Sequence, residues 1–387
     1  MTTAFVQYGY ANGSANTVGP TSLTYPDGRA IAQDYGSAGG MPDALSRVAA
    51  IIDDDNTHLA DYAYLGERSF VTDDYAQPDV KWTLASLTGT NDPDTGDIYT
   101  GLDRFGRVKD NRWYDYGASA DADRIKYGYD RAGNRVWRQN TVADALGARF
   151  DEFYRNDLIH RLKELSRGTL NAQKTDVTND TFAECWSLDP TGNWKKFLED
   201  GNGDGTWDLN QSRTANTVNE ITGITESAGP SWATPGYNAA GNMTTLPQPG
   251  DPTKTYTATY DAWNRLVKLV DDDTDDTVSE YQYDGANRRT VQKSYAAGVL
   301  DETRHLYYTQ PSQWQVVEER VEDDTDPERQ FVWGLSYNED LVPRDRHTNG
   351  DGSLNERLYG LQDANWNLTA LVDTSGDVQE RYAFSAY

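Results

Sequence analysis

One short pattern recurs along this chain and limits what it can fold into. A tyrosine or leucine is followed by aspartate or asparagine, two free positions, glycine or asparagine, and then asparagine or arginine. The clearest copy is Tyr129-Asp130-Arg131-Ala132-Gly133-Asn134-Arg135. Tyr237-Asn238-Ala239-Ala240-Gly241-Asn242 carries Asn for Asp, while Tyr260-Asp261-Ala262-Trp263-Asn264-Arg265 and Tyr283-Asp284-Gly285-Ala286-Asn287-Arg288 carry Asn where Gly stood. Leu102-Asp103-Arg104-Phe105-Gly106-Arg107 and Leu188-Asp189-Pro190-Thr191-Gly192-Asn193 open with Leu; Asp43-Ala44-Leu45-Ser46 is a worn copy and Tyr25-Pro26-Asp27-Gly28-Arg29 a shortened one. Asp or Asn at the first turn position bonds its own backbone two residues on, and Gly or Asn at the fourth accepts positive φ. Together they specify a type I turn closed by a left-handed residue, a common connection between antiparallel strands. The flanking runs TYTATY (255–260) and SEYQYD (279–284) alternate as strands do. The copies at 238, 261 and 284 are 23 residues apart, the period of stacked supersecondary units. The expectation is an all-β protein of repeated β-hairpins, with less than about a tenth helix and with Gly133 and Gly241 at positive φ.

Two stretches pull the other way. In PDALSRVAAIID (42–53), Leu45, Val48, Ala49 and Ile52 fall at helical spacing. The repeat instead places a turn at Asp43–Ser46 and a strand after it, and that reading is preferred because tertiary context overrides propensity. DLIHRLKELSRG (157–168) is equally ambiguous.

Composition agrees with strands that are only half dry. The 387 residues are 37% apolar, with mean hydropathy −0.80, yet include 25 Tyr and 11 Trp. The length suits two or three domains or one repeat array. A net charge of −27 opposes binding to nucleic acid or to anionic membranes. The acidic runs at 53–55, 271–276 and 322–326 read as solvated loop tips that keep sheet edges apart. Cys185 is the sole cysteine, so no intramolecular disulfide can form, and it reads as a small core residue. No run approaches the roughly 18 apolar residues of a membrane span. The start, MTTAFVQYGY, lacks the basic and apolar regions of an export signal.

These residues resemble the YD-repeat, or Rhs, family, over about Tyr25 to Tyr387. RHLYYTQPSQWQVVEE (304–319) is similar to the segment that leads into the Rhs core, and LYGLQDANWNLTALVDTSGDVQERYAFSAY (358–387) to the core-associated repeat, with Trp366 in place of a glycine. YDYGASAD and YDAWNRLVKL look like the planctomycete-type branch. The resemblance implies a large β-sheet wound into a spiral shell of hairpins, with residues 1–300 as the YD-repeat region and 301–387 as the core-associated region. In complete family members such a shell encloses a C-terminal effector, often a toxin. Here the run stops one residue short of its usual closing glycine, which implies an open or partly closed shell. The family's boundary motif is absent, so the aspartate chemistry that releases the effector is carried over to no residue. DPTGNW (189–194) begins like that motif but aligns as an ordinary turn.

A search for chemistry finds little. His58, His160, His305 and His347 have no partner at metal-ligand spacing, and no nucleophile elbow, P-loop or HExxH occurs. GSAGG (36–40) lacks the strand–helix context of a phosphate site. One run stands out: in DGNGDGTWDLNQ (200–211), Asp200, Asn202, Asp204, Thr206 and Asp208 follow the ligand order of a calcium loop, with Gly205 at the turn. Gln211 stands where the bidentate Glu would be, and HTNGDGSLNE (347–356) is a poorer copy. The expectation is a non-catalytic structural shell fragment, needing no cofactor beyond candidate Ca2+, that encloses or presents an effector at or outside the cell surface. The alternative is an extracellular carbohydrate- or protein-binding module. The two differ in whether the aromatic side chains are spent between turns or gathered in an outer groove.

Overall fold

The structure is a computed structural model that describes residues 4–12, 16–65, 69–84, 101–310, 312–350 and 352–385. Strand accounts for 52% of the described residues and helix for 3%. Among the described residues there are 29 strands and two helical turns, Met41–Ala44 and Thr141–Ala145. Strand order in the sheets is chain order and the pairing is antiparallel, so the protein is built of consecutive hairpins.

The repeats form the expected turn. In the copy at 261–265, the Asn264 amide donates to the Asp261 carbonyl at 3.1 Å, which is the type I turn. The Asp261 amide donates to the Arg265 carbonyl at 3.0 Å and closes a bulge, leaving Tyr260 opposite Leu266. The same two bonds recur at 103–107, 130–134, 189–193, 238–242, 284–288 and 363–367. The fourth position has positive φ in each, at Gly106, Gly133, Gly192, Gly241, Asn264, Asn287 and Trp366. The ambiguous stretch 157–168 resolves the same way, with His160 at φ 68 and a strand from Leu162 to Leu170. At 42–53 the helix stops at Ala44, and Ser46, at φ 52, bonds back to Asp43 before the strand Ala50–Ile52.

The chain divides into two compact units. The first gathers residues 1–126, 140–142 and 305–385. Its early strands and its late ones share one core, with Ile51, Leu59, Tyr75 and Trp113 packed with Val332, Val342, Tyr359 and Leu361. Polar bonds stitch the same joint: the Tyr25 hydroxyl donates to the Phe331 carbonyl at 2.7 Å, and Asn111 Nδ2 and Trp113 Nε1 each donate to the Gln362 carbonyl at 2.9 Å. Two arginines and two aspartates close a buried square. Arg29 pairs with Asp53 at 2.6 Å and Asp345 at 2.7 Å, and Arg357 pairs with the same two carboxylates at 2.6 and 2.7 Å. Asp53 is therefore not a solvated loop tip: it is 5% exposed, while Asp54 and Asp55 beside it are exposed.

The second unit, residues 127–139 and 143–304, has a small core of Leu165, Trp186, Phe197 and Leu209. Beyond it the sheet thins. Every residue of Leu266–Asp271 is half-buried, and the neighbouring strands Thr255–Tyr260 and Thr277–Tyr283 each bury one residue fully, Ala258 and Ser279. Guanidinium groups lie over rings here, Arg265 over Tyr283 at 4.9 Å and Arg289 over Tyr281 at 5.1 Å. This fits the low apolar content: half-buried Tyr and Arg side chains cover part of these strands.

The turn geometry gives a direct test. Gly133 has φ 94, so Gly133→Val is expected to cost about 1–3 kcal/mol in strain. Urea denaturation of the variant, compared with wild type, measures it.

Candidate functional site

The repeated turn is a small polar device. At 130–134, Asp130 Oδ1 accepts the amides of Ala132 and Asn134, both at 2.9 Å, and Oδ2 accepts the Asn134 side chain at 2.7 Å. Where the fifth residue is arginine its Nε replaces the amide group, at 2.7 Å in the pairs Arg107–Asp103, Arg161–Asp157, Arg265–Asp261 and Arg288–Asp284. Asn134 and the loop amides hold the Asp130 carboxyl below its ordinary range. At Asp261 mild burial acts upward, but the amide and guanidinium of Arg265 outweigh it and the carboxyl is again lowered. The aspartate is occupied by its own turn, which leaves the motif a structural role.

The fifth residue also reaches the next turn. Within the second unit, Asn134 Nδ2 lies 2.9 Å from His160 Nδ1, and Arg161 Nη1 donates to the Asp189 carbonyl at 2.7 Å. Asn193 donates to Asn219 at 2.9 Å, Asn242 to Asn264 at 2.8 Å, and Arg265 to the Asp284 carbonyl at 3.1 Å. The tyrosine before the turn makes the reverse link. Tyr260 and Tyr283 donate their hydroxyls to the carbonyls of Met243 and Leu266, at 2.8 and 2.6 Å, each the first residue after the preceding turn. Tyr237 accepts the amide of Ile221 at 3.2 Å, the equivalent position one hairpin earlier. The motif tyrosines Tyr237, Tyr260 and Tyr283 are thus spent between hairpins. The exposed tryptophans Trp207, Trp263 and Trp314 sit on three separate connections.

The five residues of the proposed calcium loop lie on one connection that begins at the end of the strand Trp194–Asp200. Asp200 is 3% exposed; its Oδ1 accepts the Gly203 amide at 2.7 Å and its Oδ2 the Gly205 amide at 2.8 Å. Asp208 Oδ2 accepts the Gly201 amide at 2.8 Å, Asn202 Oδ1 the Asp204 amide at 2.9 Å, and Asp204 Oδ1 the Thr206 amide at 2.7 Å. The side chains therefore close the loop on its own amides. Among the described residues, no three His, Cys, Asp or Glu side chains come close enough together to hold an ion. In the poorer loop, His347 Nε2 accepts the Gly352 amide at 3.0 Å, and Asp351 lies outside the described residues, as does Tyr387. His58 bonds Asp61 at 2.7 Å, and Cys185 is half-buried on the strand Val177–Leu188.

Further copies of the turn lie where the pattern is too worn to read. At 53–57 Asn56 has φ 70, at 216–220 Asn219 has φ 67, and both loops make the same two closing bonds. In each the only surviving signal is Asp or Asn three residues before Asn.

No family model matches the chain, and no curated protein matches it. Solved structures do. The chain is similar to a chain of the Tc holotoxin pore of Photorhabdus luminescens, at 13% identity and TM-score 0.62. It is also similar to TcdB2-TccC3-TEV, at 14% and 0.64, and to TcdB2-TccC3 without the hypervariable C-terminal region, at 13% and 0.65. Each match covers 95% of this chain but 17% of the matched chain. At such identities the likeness shows the fold.

The hydroxyl links can be tested one at a time. Tyr260→Phe and Tyr283→Phe should each cost about 1 kcal/mol, since each leaves a carbonyl without its donor. Chemical denaturation of each single variant, beside wild type, reads the cost.

Proposed function

We propose that this chain is part of an Rhs-type YD-repeat protein, of the planctomycete-type branch, and that it serves as a non-catalytic wall segment. In this reading residues 1–300 are the repeat region and 301–387 the core-associated region of a shell that encloses or presents a C-terminal effector, at or outside the cell surface. The observation that carries the reading is the likeness of 95% of the chain to TcdB2-TccC3 chains. The chemistry of the turns supports it: aspartate, arginine and tyrosine are each engaged in holding one hairpin to the next.

Expression of residues 1–387 in a bacterial cytoplasm tests the reading. Growth should be unaffected, and the purified protein should show no hydrolytic activity and no retention on glycan arrays. Growth arrest relieved by one substitution that leaves the protein folded would overturn it. Glycan retention abolished by Trp263→Ala would favour the binding module instead.

We also propose the loop at Asp200, Asn202, Asp204, Thr206 and Asp208 as a weak calcium site, on the order of its ligands. Binding has to compete with the loop's own amides, so heat should appear only at millimolar calcium. Asp204→Ala should abolish it in calorimetry, with a matching loss of any calcium-dependent rise in melting temperature.

A further inference from the structure

The first unit contains a cavity of about 240 Å³. For scale, an apolar cavity of about 150 Å³ holds benzene. Its walls come from the strands Ser69–Tyr75, Val80–Thr83 and Asp110–Asp115, from the loop before Leu341, and from the turn 363–367. Phe70, Trp82, Trp113 and Trp366 supply rings to the lining. The indole N–H of Trp82 is spent on Asn111 Oδ1 at 2.8 Å, and that of Trp113 on the Gln362 carbonyl. What those two indoles have left to offer is ring surface.

The polar members of the wall are short of partners. Asp73 and Gln362 are 3% and 2% exposed, and Asp73 Oδ1 and Gln362 Oε1 have no hydrogen-bond partner among the described residues. Each such group is costly when left unsatisfied. Close behind stands Asp340, fully buried, whose Oδ2 accepts the Ser336 amide at 3.0 Å while Oδ1 has no partner. The groups that act on Asp73 are all acidic, namely Asp340, Asp74 and Asp61; the lysine at hand, Lys81, is paired with Asp74 at 2.8 Å. Tyr62 and Tyr75 face the same pair of carboxyls, and Asp363 lines the cavity. Buried carboxylates are normally matched by a cation. Here the protein provides two acids, aromatic walls and unpartnered oxygens, but among the described residues no cation acts on Asp73.

We propose that this cavity binds a small primary organic ammonium ion. Its N–H donors answer the unpartnered oxygens of Asp73 and Gln362, and its carbon skeleton lies against the tryptophan rings. An ammonium group beside indole faces and desolvated from water gains further by cation–π attraction. A neutral ring would leave the acids protonated and gain no charge pairing.

Without such a ligand the acids meet their burial by staying protonated. Burial, with Asp340, Asp74 and Asp61, pushes Asp73 well above the carboxylate range, and burial holds Asp340 up at about 6. Entry of the cation therefore displaces a carboxyl proton to solvent, and affinity rises as pH rises through the carboxyl titration. The stability linkage has a definite sign. A carboxyl raised in the folded state stabilises fully below its unfolded value of about 3.9, and that contribution is lost as pH rises through the folded value. The ligand should thus restore melting temperature most on the alkaline side.

Calorimetry with benzylammonium chloride, and with benzyl alcohol as the neutral control, tests the proposal. Between about pH 5 and about pH 8 the dissociation constant for benzylammonium should fall at least about tenfold, with proton release seen as a buffer-dependent heat. Benzyl alcohol should bind more weakly and without pH dependence. Asp73→Asn should remove ammonium binding. Trp366→Gly should weaken it several-fold with an unchanged melting curve, because Trp366 already holds φ 66, where glycine is at ease. Equal binding of alcohol and ammonium, a pH-independent constant, or no heat with either compound at millimolar concentration would each overturn it.

Discussion

A carboxylate at the first position of a five-residue turn accepts two main-chain amides and the side chain of the fifth residue. Most of the fold hangs on this unit, because it decides register. In a strand, a slip of one residue exchanges the two faces. Each turn here absorbs one extra residue in its bulge, so that Tyr260 faces Leu266 and Tyr283 faces Arg289. With the offset so fixed, the hydroxyls of Tyr260 and Tyr283 meet the first carbonyl after the preceding turn, and that of Tyr237 meets the amide of the equivalent residue. The fifth side chain likewise meets the neighbouring turn. Local turn chemistry thereby becomes long-range order without a thick apolar core.

The exceptions show what the carboxylate does. In the copy at 25–29, Tyr25 occupies the first turn position: its amide bonds the Arg29 carbonyl and its carbonyl accepts the Gly28 amide. Its ring enters the core, and Arg29 has no aspartate in its own turn at that position. In the copy at 53–57 the fifth residue is Thr57, so Asp53 lacks the usual arginine. The two defects complement each other. Arg29 Nε and Nη2 donate to Asp53 at 2.8 and 2.6 Å, and Arg357 and Asp345 complete the square. A partner normally found within a turn is thus redeployed between the early strands and the late ones. A buried pair of this kind adds little over an apolar substitute, yet losing one member costs about 3–5 kcal/mol. The square therefore specifies which strands meet more than it stabilises their meeting.

This explains what could be read from the sequence and what could not. The hairpins were legible at 130–134, 261–265 and 284–288 because backbone geometry restricts those positions to few residue types. They were illegible at 53–57 and 216–220, where tyrosine and glycine are both gone and one Asn holds the left-handed position. The helical spacing at 42–53 was real but local: Met41–Ala44 makes one turn, and then Ser46 reverses the chain. The ion square and the Asp73–Asp340 pair left no trace in the sequence. They depend on residues some 300 positions apart being brought together, for which the pattern within one repeat holds no information. The acidic runs misled in one respect, because charge counts do not distinguish Asp53, enclosed by guanidinium groups, from Asp54 in solvent.

The two kinds of aspartate also set opposing limits on pH. Turn carboxylates such as Asp130 and Asp261 are held below their ordinary values, so what they contribute is present above about pH 4 and is lost as pH falls through their folded values. Asp73 and Asp340 are held above theirs, so what they contribute is lost as pH rises, for Asp340 through about 6. Acid loosens the hairpins where they turn, whereas alkali charges a buried pair at the joint between early and late strands. The first effect is spread over many equivalent sites and erodes stability gradually. The second is concentrated in two carboxyls that no guanidinium among the described residues neutralises. A protein whose net charge is −27 thus keeps its least compensated acids inside, where proton or cation decides the strain at a single joint.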